Sequence, residues 1–321
     1  MPNQKHGTDP SWASHLCRSI YSQRGILFAF VGGILWSVNG LAANIITKTV
    51  GVWVIGYFCS ICQLLLIPFL QWDYAERYGV AEVSIIILSG LCDTIVLFLA
   101  CYAYSLTTVG NTGALLYSKP LFCVILSRLV LQVKYSVYDV VILVCNLTGI
   151  ALISKPPFLF ASLTDDEIIT EFYGSMVAIG AAVTGAFQFI AIRKLVERDA
   201  CDRFLLLLVK GIIGFFLCSM VLATNLSHGG HIKSIYDLLW LTLQCGSGLC
   251  SCLFVYAALQ SQDASTVALV STVEVLASFL LQVAFTDDSV DWMDIVGAFM
   301  ITICPVWYAV KGILCEYFDS N

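Results

Sequence analysis

Four ionisable side chains stand deep inside apolar stretches of this 321-residue chain: Asp93, Lys119, Lys210 and Glu274. A charge at the centre of an isolated membrane-spanning helix costs about 2.5–3.5 kcal/mol on insertion scales. Each therefore needs a counter-charge, a polar partner or a watery cavity. The chemistry open to them is ion pairing, anion binding by a lysine, and proton exchange by a desolvated carboxyl group. Lys119 and Glu274 each lie about ten residues into their stretch, about 15 Å at 1.5 Å per residue, which is near the midplane of a bilayer. Around Glu274, the residues Ser271, Ser278 and Gln282 complete one polar helical face at spacings of three, four and four. Thr112, Lys119, Cys123 and Ser127 form a thinner version. Pro120 follows Lys119 and is expected to interrupt the backbone ladder, freeing carbonyls toward a cavity.

Two readings of Lys119 and Glu274 stay open on sequence alone. In one, they neutralise each other as a buried pair that holds the molecule together. In the other, they line a cavity where the cation meets an anionic substrate while Glu274 is protonated or re-paired. Asp93 is an alternative partner for either lysine. Lys210 lies seven residues after Arg203, about 10 Å along a helix, and is expected to snorkel its ammonium to the interface. Trp36, Asn39 and Tyr117 are candidates to add stacking and hydrogen bonds to such a cavity, with helix packing or interfacial anchoring as the competing reading for each.

The elements that must position these groups are membrane helices. With 59% hydrophobic residues, 12% charged residues and a mean hydropathy of +0.87, the chain has too much apolar surface for a soluble globule. Apolar runs place ten spans, at about 25–46, 52–71, 83–104, 109–131, 137–154, 173–193, 204–224, 236–259, 264–285 and 291–311. The expected fold class is all-α, a polytopic membrane protein of ten helices. The divisions are a tail over 1–24, a first five-span unit over 25–154, a linker loop over 155–172, a second unit over 173–311 and a tail over 312–321. Lys155-Pro156-Pro157 opens the linker, since a proline pair cannot continue a helix.

Lysine and arginine set the orientation. With a cytoplasmic N-terminus, eleven of the 16 fall on the inside and only Lys48, Lys155 and Lys233 fall outside, with Lys119 and Lys210 within spans. Both termini are therefore expected in the cytoplasm. Asn225-Leu226-Ser227 then forms a glycosylation sequon on the opposite face, although its nearness to the seventh span works against modification. None of the 14 cysteines falls in an outside loop, so no extracellular disulfide framework is expected. Cys59-x-x-Cys62 and Cys250-x-Cys252 read as packing residues rather than as a metal site. No cofactor or metal is expected. The net charge of −6, with no basic domain, gives no reason to expect nucleic-acid binding.

The chain also repeats itself. YAYSLTTVGNTGALLYSKPL from Tyr102 matches YAALQSQDASTVALVSTVEV from Tyr256 at an offset of 154. SVYD ending at Asp139 matches DWMD ending at Asp294 at 155. At the latter offset Lys119 and Glu274 are equivalent. Five spans per copy is odd, so the second copy enters the membrane from the opposite side. Inverted repeats of this kind mark alternating-access transporters with a site near the midplane.

In these features the chain resembles the drug/metabolite transporter superfamily with its two EamA-type halves. YAY at 102–104, KYSVYD at 134–139, GIALI with KPPFLF at 149–160, and ALQ at 258–260 look like the G subfamily of solute carrier family 35. The likeness covers about residues 25–311. It implies ten helices around a central cavity and transport of small, often anionic metabolites. The chain departs from the group at Lys119, where a small residue usually precedes the proline, and at Val133, where an acidic residue is usual.

The expected activity is secondary transport of a small anionic organic metabolite by alternating access, with proton or counter-anion coupling. Exchange of nucleotide sugars across an internal membrane is one alternative, and a non-transporting membrane scaffold or regulator is another. An intramembrane enzyme is disfavoured, because His6, His15, His228 and His231 all lie outside the spans and no carboxylate dyad is evident. The expected partners are the lipid bilayer and a small-molecule substrate. A homodimer has no support in the sequence.

Overall fold

The structure, a computed structural model, describes residues 11–46, 49–69, 78–106, 115–154, 165–224, 232, 234–285 and 292–319. All regular structure among the described residues is helical. The helices are α1 (Ser11–Ile46), α2 (Val52–Leu64), α3 (Val80–Leu106), α4 (Lys119–Val130), α5 (Val137–Ser154), α6 (Asp165–Glu197), α7 (Arg203–Ala223), α8 (Ile235–Ser261), α9 (Ala264–Ser271), α10 (Val273–Phe285) and α11 (Trp292–Asp319). A 3₁₀ turn, Ile67–Phe69, follows α2.

Among the described residues six segments are long and apolar enough to cross a bilayer: Arg24–Ala43, Val80–Ala100, Phe172–Glu197, Arg203–Ala223, Ile235–Ser261 and Ala264–Leu281. Trp53–Leu64, Val137–Ile153 and Trp292–Tyr308 are shorter apolar helices. Several ends differ from the sequence expectation. The second apolar run gives a helix only to Leu64, with the 3₁₀ turn around Pro68 beyond it, since proline cannot donate to the ladder. The sixth helix already begins at Asp165, within the stretch read as linker, and α11 runs on to Asp319. The ninth run is two helices, α9 and α10, separated at Thr272.

The packing has a plain order. α1 lies against α8, α3 against α6, α2 against α7, α5 against α11 and α4 against α9; α1 also touches α9 and α10, and α4 touches α6. With α9 and α10 counted as one element, these pairings map onto themselves when the first five elements are exchanged for the second five. Asp139 and Asp294, equivalent in the sequence repeat, are both buried in the first turns of α5 and α11. The Ser136 amide donates to Asp139 Oδ2 at 3.0 Å, which caps the start of α5.

Glycine decides how closely one of these pairs approaches. A Cβ on Gly149 would stand 2.8 Å from the Gly297 carbonyl oxygen, and one on Gly297 would stand 2.7 Å from that of Gly149. The α5–α11 crossing is therefore backbone on backbone, as close helix packing in membranes favours. The main core gathers Leu206, Leu207, Leu259, Val267 and Leu269 around α4, α6, α8 and α9. Large apolar side chains instead face outward on α3 and α5, among them Leu88 and Val144. That apolar outer surface suits lipid and not water.

Candidate functional site

The two helix starts at Lys119 and Val273 organise the centre. α4 begins at Lys119 with Pro120, buried, in its first turn, where a missing N–H removes no intrahelical bond. Lys119 is thus a cation at the positive end of a helix, which gives it no electrostatic support. Its ammonium sits 3.9 Å from the centroid of the Phe189 ring on α6. Its stem lies against Gly185, where a Cβ would come within 3.0 Å of Lys119 Cδ.

Glu274 is the mirror case, an acid in the first turn of α10, where the helix dipole favours negative charge. The Tyr117 hydroxyl donates to Glu274 Oε1 at 2.6 Å. The Lys119 charge reaches Glu274 through space, but no ion pair joins the two among the described residues. The structure therefore brings Tyr117 and Lys119 of one copy of the repeat near Glu274 of the other, without a direct pair between the charges.

The break that exposes the start of α10 is made by side chains. Thr272 Oγ1 donates to the Leu269 carbonyl at 2.6 Å and accepts from Asn146 Nδ2 of α5 at 2.7 Å. Asn146 is fully buried, and among the described residues neither its Oδ1 nor the buried Ser271 Oγ has a hydrogen-bond partner. α1 presses on the same point, since a Cβ on Gly33 would stand 2.9 Å from the Ser271 carbonyl oxygen. Ser278 is half-buried, one turn along from Glu274. Asn146 and Thr272 were not singled out for this role, because neither type nor spacing announces a partner on another helix.

Asp93 and Lys210 form a second charged cluster. Lys210 Nζ lies 2.6 Å from Asp93 Oδ2, with the two side chains 16% and 15% exposed. The expected snorkelling of Lys210 is corrected: its ammonium turns inward to the carboxylate of α3. The Tyr256 hydroxyl donates to Asp93 Oδ2 at 3.2 Å, and Gln188 Nε2 donates to Tyr256 Oη at 3.4 Å. Lys210 Nζ also donates to Cys252 Sγ at 3.7 Å. Asp93 comes from the first half of the chain, and its partners come from the second. Gln188 and Phe189, adjacent on α6, tie the two charged clusters to one helix. Tyr256 was visible in the sequence only as the repeat counterpart of Tyr102.

The other candidates lie at the edge or outside. Trp36 on α1 is 38% exposed. Asn39 Nδ2 donates to the Gln244 carbonyl at 2.7 Å and packs where Gly248 leaves room, so its contacts here are those of the α1–α8 interface. Asn225 lies outside the described residues. At one rim, Arg198 pairs with Glu82 at 2.9 Å and Tyr135 bonds Ser265 at 2.7 Å, both across the two halves. Burial pushes the Tyr135 phenol above its usual range. At the opposite rim, Thr49 Oγ1 donates to Asp237 Oδ1 at 3.1 Å.

This geometry sits on a recognisable framework. The model of the EamA-like transporter family matches residues 23–155 and again 172–306. Solute carrier family 35 member G1 of Homo sapiens is 27% identical over 291 residues, covering 89% of this chain and 79% of that protein. The Mus musculus protein of the same name is 26% identical over 295 residues, covering 89% and 78%. A solved crystal structure, 16% identical, superposes with a TM-score of 0.68 over 88% of this chain and 96% of its own, which shows a shared fold. Two family matches that together fill most of the chain, on a frame that is helical among the described residues and carries six described segments long and apolar enough to cross a bilayer, make this protein an integral membrane member of the EamA-like transporter family.

Proposed function

We propose that the protein is a secondary transporter of a small anionic organic metabolite, built as ten spans in two inverted five-helix units and working by alternating access. The units run over 25–154 and 173–311, joined by the 155–172 linker on the side opposite two cytoplasmic termini. One observation carries the reading. Lys119 opens a half-helix with its ammonium on an aromatic face and no carboxylate in ion-pair range among the described residues. An anion arriving there gains the lysine charge and the amide end of α4 together, while Tyr117 holds Glu274 beside it. A discontinuous helix end at the interface of repeats is where such transporters bind substrate.

Glu274 then serves as the group that exchanges a proton or re-pairs as the site empties, which makes proton or counter-anion coupling part of the proposal. Ser271, Ser278 and Asp93 brace the path, Trp36 and Asn39 stand at its edge, and Pro120 fixes the start of α4. The test is uptake by proteoliposomes against a panel of carboxylates, nucleotide sugars and nucleosides, with and without a pH gradient. Accumulation of a carboxylate that Lys119→Met abolishes is the expected result. Uptake of nucleotide sugars alone moves the assignment to that class, and no uptake of any compound by folded protein favours a scaffold.

A further inference from the structure

α2 and α8 meet at a small apolar cluster of Ile46, Val50, Ile55, Leu241 and Cys245, with Cys59 and Cys62 partly buried against it. Inside it, Cys59 Sγ of α2 lies 3.2 Å from Cys245 Sγ of α8. Cys62, one turn along α2, also reaches the Cys245 thiol. A disulfide needs the sulfurs at about 2.05 Å, so the gap to close is about 1.2 Å, within side-chain adjustment. Reactive cysteines sit in partly exposed, electropositive surroundings. Cys59 is the more open of the two, half-buried where Cys245 is buried, and Lys210, whose charge acts on it through space, is itself paired with Asp93. The two residues are 186 positions apart and belong to different halves of the chain.

We propose that Cys59 and Cys245 are a redox-active dithiol whose oxidation by a peroxide joins the two halves through an α2–α8 disulfide. The Cys59 thiol gives up its proton, the thiolate attacks one peroxide oxygen, the O–O bond breaks, and Cys59 becomes a sulfenic acid while the departing hydroxide takes up that proton and leaves as water. The Cys245 sulfur then attacks the sulfenyl sulfur, a second water departs with the hydroxyl and the Cys245 proton, and the S–S bond forms. Two thiols are oxidised by two electrons and one peroxide is reduced to two waters. On the transport reading, on which this consequence rests, the link fixes α2 against α8 and arrests the halves.

The experiment uses the full chain in liposomes, treated with hydrogen peroxide, then maleimide, and weighed intact. The expected result is two fewer maleimides per chain and a peptide linking Cys59 to Cys245 that dithiothreitol releases. Cys245→Ala abolishes the link, and Cys59→Ala slows it at least tenfold, leaving only the Cys62 route. Full maleimide labelling at a peroxide dose that oxidises a free thiol in the same vesicles overturns the proposal, as does linkage at an unchanged rate in Cys245→Ala. Complete linkage with unchanged uptake overturns the arrest alone. Absent uptake before oxidation counts against the transporter reading instead, and the maleimide count still decides the dithiol.

Discussion

Replacing Lys210 by methionine strands the Asp93 carboxylate inside the bundle. The charges are 2.6 Å apart, with side chains only 16% and 15% exposed. At an effective dielectric of about 20 their attraction is about 6 kcal/mol, opposed by several kcal/mol of lost hydration for each ion. The intact pair thus adds little, whereas removing one member leaves the other uncompensated at a cost of about 3–5 kcal/mol. Tyr256 still donates at 3.2 Å, but one hydroxyl does not replace a cation. The melting temperature of the purified protein in detergent, followed by tryptophan fluorescence, should fall by about 5–10 °C. Asp93→Asn with Lys210→Met should recover most of that loss. Lys119→Met removes a cation–π contact worth about 0.5–2 kcal/mol and strands no ion-paired carboxylate, so it should melt close to the wild type. A Lys210→Met protein that melts with the wild type, or a double variant no more stable than the single, would refute this reasoning.

At the centre, Lys119→Met should abolish uptake of an anionic substrate at normal abundance. Adding Glu274→Gln should not restore it, and recovered uptake in the double variant would sink the substrate-binding role. Tyr117→Phe removes a hydrogen bond to a charged group worth about 1.5–3 kcal/mol. It should lower initial uptake by about tenfold or more, read in the same vesicles. Gly149→Ala and Gly297→Ala each drive a Cβ into the facing carbonyl and should destabilise by about 1–3 kcal/mol. The double variant should cost less than the sum, since both relieve one crossing, and strict additivity in thermal unfolding would contradict that. Cysteines placed at Ser162 and Ser227 should react with an impermeant maleimide from the side opposite the termini, and labelling from the cytoplasmic side alone would invert the orientation.

The frame was legible because lipid imposes length and hydrophobicity on each helix. The helices from Val137, Arg203 and Ile235 were bounded within a residue or two by apolar runs with clear polar ends. The Lys119–Glu274 equivalence was legible too, since a repeat carries its own register. Which of the candidate partners meet was not, because nothing in a single sequence rotates α3 toward α7, and Asp93 stood as a partner for either lysine. Lys210 looked like a snorkelling residue from its distance to Arg203, and only the facing Asp93 makes the inward turn the better choice. The interruption at Thr272 was hidden for a different reason. Ser271-Thr272-Val273 contains neither glycine nor proline, and the break depends on a hydroxyl bonding back to Leu269 and on Asn146 arriving from α5.

The two interruptions differ in permanence. Pro120 is covalent: its ring occupies the amide at every moment, and no rearrangement elsewhere gives the chain an unbroken helical ladder at that residue. Thr272 is only bonded into place, and its backbone, at φ −65° and ψ −8°, is a modest rotation of ψ away from regular helix. Letting go of its two side-chain hydrogen bonds costs about 1–3 kcal/mol, a quantity that ligand binding readily supplies. One arm of a two-fold molecule is therefore built with a rigid elbow and the other with a retractable one, so equivalent positions in the two repeats need not make equivalent movements.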